Sequence, residues 1–84
     1  VFYIGGTKCG ALFGEAAVIL NPDLKPDFHT IMKQSGAVLA KGRLLGLQFQ
    51  TLFTDNLYEK ICQHGINMAM LLKEAFTEKG NSLF

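Results

Sequence analysis

Gly5-Gly6-Thr7-Lys8-Cys9-Gly10 sets a hydroxyl, an amine and a thiol side by side, in a passage where three of six residues are glycine. Lysine ordinarily sits on a solvated face, because burying an unpaired ammonium costs several kcal/mol. Partial removal from water lowers the affinity of such an amine for its proton, and the neutral form attacks aldehydes. That attack gives a Schiff base, the usual way a protein amine holds a carbonyl compound covalently. The glycines let the backbone approach a flat cofactor closely, and the Thr7 hydroxyl is placed to reach a phosphate. Spacing alone leaves a second reading open, in which Lys8 is a loop lysine directed at water.

The remaining reactive side chains carry less. Cys9 and Cys62 are the only cysteines, with no CxxC and no histidine pair nearby, so neither a zinc site nor a disulfide framework is expected. Cys9 reads as a small buried thiol that fills space. His29 has no partner at metal-ligand spacing, and His64, beside the apolar stripe of the last helix, reads as a packed or half-exposed histidine. No metal is expected. Met68 and Met70 read as core or interface filler, and the charges from Lys73 to Lys79 as the solvated end of a helix.

The glycine passage lies between two short strands. Val1 to Ile4 joins two β-branched and two aromatic residues. Glu15 to Leu20 is almost continuously apolar, the pattern of a strand covered on both faces. Such a pair is marginal alone in water and calls for a larger sheet beside it. Asn21-Pro22-Asp23 and Pro26-Asp27 are helix or turn starts, with Asn21 as cap and Pro22 at the first helical position. Phe28, Ile31 and Met32 share one face of a short helix that Ser35-Gly36 breaks. Val38, Leu45, Phe49 and Leu52 mark a helix from about Val38 to Phe53, and Thr54-Asp55 ends it and caps the next. The last helix runs from about Asn56 to Lys79, roughly 36 Å at 1.5 Å per residue. Leu57, Ile61, Met68, Leu72 and Ala75 form its buried stripe, and Gly80-Asn81 supplies the stop. A short turn joins the two long helices as an antiparallel pair. Strands precede helices, so the class is α+β.

Eighty-four residues make one small domain, and 49% hydrophobic with 18% charged residues excludes a disordered tail. A net charge of +1 without a clustered basic face argues against nucleic acid. Ala16 to Leu20, five apolar residues, falls far short of the roughly 20 that span a membrane. The chain opens on Val1 inside an apolar run with no charged leader, which reads as a piece of a longer, cytoplasmic protein.

Tyr3-Ile4-Gly5-Gly6-Thr7-Lys8-Cys9-Gly10-Ala11-Leu12-Phe13-Gly14-Glu15 resembles the lysine segment of the threonine aldolase and β-eliminating lyase family, fold-type-I enzymes dependent on pyridoxal 5'-phosphate. The resemblance continues through Lys33-Gln34, Leu39-Ala40-Lys41-Gly42-Arg43 and Leu57-Tyr58. It implies that Lys8 is the Schiff-base lysine and catalytic residue, with Thr7 beside the cofactor. It also implies that Lys41 or Arg43 reaches the phosphate, partly from a neighbouring subunit. The family's usual Arg-Gln pattern reads Lys41-Gly42-Arg43 here, which leaves the choice between the two open.

By the same resemblance, residues 1–36 would end the cofactor-binding large domain of an α/β enzyme, with the lysine loop and the last strand pair of its sheet. Residues 37–84 would lead into the C-terminal small domain. The implied reaction is cleavage of a β-hydroxy amino acid, threonine or allo-threonine, to glycine and an aldehyde, in a homo-oligomer (dimer or tetramer). The small-molecule substrate would be an amino acid, with no nucleic-acid or membrane partner, and the segment alone would be inactive. A β-eliminating amino-acid lyase of the same family is the alternative within this resemblance. A non-enzymatic helical interaction module is the alternative outside it.

Overall fold

β-Branched and aromatic side chains in Phe2-Tyr3-Ile4 favour extended backbone, and β1 covers Phe2–Gly5 in the computed structural model, which describes residues 1–80. β2, Glu15–Val18, pairs with it antiparallel, Phe2 opposite Val18 and Gly5 opposite Glu15. The class is α+β, as expected. Ile4, Ala16 and Val18 are half-buried on one face, whereas Tyr3 and Ala17 on the other lie exposed. Cover on both faces was expected from the apolar run, and among the described residues it is absent. Ile19 and Leu20 lie beyond the strand.

Asn21 caps as expected: its side chain accepts a hydrogen bond from the Asp23 amide at 2.9 Å and starts a single 3₁₀ turn, Pro22–Leu24. Helix α1 follows over Phe28–Gln34, and Ser35 ends it with Gly36 at φ +70°. Its three apolar residues are only partly covered, Ile31 remaining 54% exposed.

Helix α2 covers Arg43–Leu52, five residues shorter at its start than the Val38 beginning expected from sequence. A start at Val38 would place Gly42 inside the helix as well as Gly46, adding about 1 kcal/mol relative to alanine there. Gly42 instead stands at the cap, and its carbonyl accepts from the Leu45 and Gly46 amides. The α2–α3 joint also differs from expectation. Asp55 and Asn56 both adopt left-handed backbone, and Asn56 rather than Asp55 occupies the cap of α3, without a side-chain cap bond. Two consecutive left-handed residues turn the chain sharply where a capping side chain was expected to do so.

Helix α3 runs over Leu57–Glu78, with Lys79 closing it and Gly80 at φ +76°. Asn81 of the expected stop lies outside the described residues. Of the expected buried stripe only Ile61 is partly covered; Met68 and Leu72 stay 46% and 60% exposed. Among the described residues the stripe lacks a partner because α2 and α3 make little contact, so the expected long helical pair does not form a core. A radius of gyration of 18.1 Å, against about 12 Å for a compact chain of this length, expresses the same fact. What core exists lies where the β1–β2 connection meets the α2–α3 joint, around Ala11 and Leu52.

Candidate active site

The glycine passage forms a tight turn whose inner side is backbone. The Gly6 carbonyl accepts from the Cys9 amide at 2.9 Å and the Ala11 amide at 3.0 Å, which throws Thr7 and Lys8 to the outside. A Cβ on buried Gly6 would stand 2.9 Å from the Ala11 Cβ and 3.1 Å from Phe49 Cζ, closer than ordinary contact. Gly10, at φ +104°, lies against Leu52 and Ile61, and Gly14, at φ +90°, against Leu45. Glycine therefore serves the turn as expected, by close approach, but the surface approached is the two helices.

Three polar groups hold the turn in place. Gln48 Oε1 accepts from the Leu12 amide at 2.6 Å, and its Nε2 donates to the Phe13 and Leu44 carbonyls at 3.4 and 3.2 Å. The Tyr58 hydroxyl donates to the Gly5 carbonyl at 2.9 Å, tying the end of β1 to α3. The Cys9 and Cys62 sulfurs approach to 3.5 Å, one thiol donating to the other, and both are free and half-buried. Hydrogen bonding to the Cys9 thiol, then burial, pushes the Tyr58 hydroxyl above its ordinary range. The same two causes in the same order raise the Cys62 thiol. Phe49, Phe53 and Tyr58 stack in series, with ring centroids 6.5 and 5.1 Å apart, within the span of favourable aromatic pairing.

Of the residues expected at a site, Thr7 and Lys8 share this turn and both are exposed, so the partial removal of Lys8 from water expected from the sequence is absent among the described residues. Lys41 and Arg43 are also exposed, at the opposite end of α2. The passage runs against the direction of α2, with Gly14 beside Leu45, Leu12 bonded to Gln48 and Gly10 beside Leu52. Nine residues from Arg43 to Leu52 place the phosphate candidates about 13 Å along the helix from the Gly10 end of the turn, at 1.5 Å per residue. One turn thus offers an amine and a hydroxyl, and the chain keeps its two candidate cations apart from them. His29, His64, Met68 and Met70 are exposed, and among the described residues no cluster of three or more His, Cys, Asp or Glu gathers. No helix of the described residues is long and apolar enough to cross a membrane.

Gln48, Tyr58 and the Cys9–Cys62 approach were not read from the sequence. Gln48 was the most legible, being the polar residue within the apolar spacing Leu45, Phe49, Leu52 of α2. Tyr58 and Cys62 are four apart and therefore share a helix face, but only the fold brings Cys9 to that face.

Two known proteins are similar to this chain. The low specificity L-threonine aldolase of Pseudomonas aeruginosa is 35% identical over 74 residues, covering 88% of this chain and 21% of that enzyme. The low specificity L-threonine aldolase of a Pseudomonas species is 35% identical over 72 residues, with 86% and 21% covered. The likeness is to threonine aldolases. The chain spans about a fifth of the length of these relatives. No family model matches, and no solved structure matches.

Proposed function

We propose that this chain is the lysine-bearing segment of a fold-type-I, pyridoxal-phosphate-dependent carbon–carbon lyase that cleaves a β-hydroxy amino acid, such as threonine or allo-threonine, to glycine and an aldehyde. The observation that carries the reading is the place of Lys8 in a turn fixed from behind by Gln48, Tyr58 and close-packed glycine backbone. The similarity to two threonine aldolases supports it.

The side chains present fit pyridoxal phosphate in kind. An amine to bond an aldehyde, a neighbouring hydroxyl and cations for a phosphate are the chemistry that cofactor requires. When bound, the cofactor would supply an electron sink for the bond being broken. Lys8 Nζ would hold it covalently and, when free, would be the base that moves a proton. Thr7 offers its hydroxyl to the cofactor beside Lys8. Lys41 or Arg43 would hold its phosphate, and their separation from the turn supports donation from a second copy, in a homo-oligomer. On this reading residues 1–36 end the cofactor-binding domain, and 37–84 lead into the next.

The test is Lys8→Ala in the natural chain that carries this segment, assayed for aldehyde release from threonine. Loss of nucleophile and proton carrier together should lower the rate by at least about 10²–10⁴-fold. Substantial turnover in that variant, without an added amine, would overturn the assignment.

A further inference from the structure

We propose that Cys9 and Cys62 are a modification site: a peroxide converts them to a reversible intrachain disulfide that fastens the lysine turn to α3. The sulfurs already stand 3.5 Å apart although the residues are 53 positions apart in the chain. A disulfide bond is about 2.0 Å long, so closing the gap takes about 1.5 Å of movement shared between two side chains. The neighbouring residues also meet. Gly10, next to Cys9, would set a Cβ 3.4 Å from Ile61, next to Cys62. The Tyr58–Gly5 hydrogen bond holds the other end of the same turn against the same helix.

Both thiols are partly exposed, so a small oxidant can reach them. No metal-ligand cluster of three or more groups forms among the described residues, which leaves the chemistry of two adjacent sulfurs. In the first step one thiolate sulfur attacks a peroxide oxygen. The O–O bond breaks, the departing oxygen leaves as water after taking up protons, and the sulfur becomes a sulfenic acid. In the second step the other sulfur attacks the sulfenyl sulfur, the S–O bond breaks and a second water leaves. In total two thiols give up two electrons and two protons, and one hydrogen peroxide becomes two waters. The pair does not depend on what Lys8 does, so it stands or falls separately from the proposed reaction. Its consequence for the turn is mechanical: Cys9 is the neighbour of Lys8, and the cross-link fixes that neighbour to α3.

The natural chain carrying this segment would be reduced, freed of reductant, treated with hydrogen peroxide, alkylated with iodoacetamide and digested without reduction. A peptide pair joining Cys9 to Cys62 of one chain, two hydrogens lighter than the separate peptides, is expected. It should disappear with dithiothreitol, and labelling should be lost at both positions together. In Cys62→Ser the same treatment should leave a sulfenic acid on Cys9 that dimedone captures. The unmutated chain decides the matter by itself if that variant does not fold. Two freely alkylated cysteines after peroxide treatment of the folded protein, or either cysteine linked to a different residue or chain, would overturn the proposal.

Discussion

Gln48 supplies both an acceptor and a donor to the stretch after the lysine turn, bonding the Leu12 amide and the Phe13 carbonyl from one amide group. A net hydrogen bond of this kind contributes about 0.5–1.5 kcal/mol. Gln48→Ala should therefore destabilise the folded chain by about 1 kcal/mol, while Gln48→Glu, which keeps the acceptor and loses the donor, should cost less. Equal midpoints for both variants in urea would show that the Leu12 bond contributes nothing. Tyr58 and Cys62 add a pH dependence with a definite sign. Each is neutral when protonated and each is raised in the fold, by the Cys9 thiol before burial, so the folded chain holds these protons more tightly than the unfolded one. Their contribution is complete below the ordinary thiol value of 9.0, and weakens as the pH rises past it and then past the ordinary phenol value of 10.0. Unfolding midpoints measured from neutral pH upward should be level and then fall; a rise above pH 9 would contradict the hydrogen-bonded trio. At this scale the turn that carries Lys8 was legible, because three glycines in six residues are unusual in themselves. Of the group that holds that turn only Gln48 left a trace, as a polar residue within an apolar spacing; tyrosine and cysteine on a helix face are ordinary until a distant loop reaches them.

The glycine turn and α2 fit by shape. Gly14 combines φ +90° with a would-be Cβ that overlaps Leu45 Cδ2. Gly14→Ala should cost about 2–4 kcal/mol, from left-handed backbone strain and overpacking together. Adding Leu45→Ala should relieve the overlap and leave the backbone strain, so the double variant should lose less than the sum of the two single changes. Strict additivity in denaturant titrations would show that the two residues do not meet. The strand pair, the Asn21 cap, α1 and the extent of α3 were all legible, because β-branched and apolar runs, cap chemistry and helical spacing are local. The start of α2 was not, since the apolar spacing from Val38 is helical while Gly42 opposes it, and backbone cost prevails over spacing there. The α2–α3 joint misled for a related reason: Asp55 resembles a cap by type, yet the turn is made by left-handed backbone at Asp55 and Asn56.

Among the described residues, Ala11 and Leu52 are the buried apolar side chains, while Tyr3, Leu12 and Leu72 each remain at least 60% exposed. The two-stranded sheet keeps both outer edges unpaired among the described residues. Open edges and bare apolar faces drive association. The 84 residues alone should therefore sediment as oligomers or aggregates and release no aldehyde from threonine. A monomer at working concentration, or measurable cleavage, would contradict this. An apolar stripe is visible in a sequence, but what covers it is not, which is why α3 reads as buried and stands exposed.

The most direct measurement is borohydride reduction of the natural chain carrying this segment, saturated with pyridoxal phosphate, followed by peptide mapping. Reduction makes a lysine–aldehyde bond permanent, so a phosphopyridoxyl group on Lys8 is the expected result. A folded chain with no adduct, or with the adduct on another lysine, would contradict the assignment and leave Lys8 as a solvated turn residue on a helical interaction module.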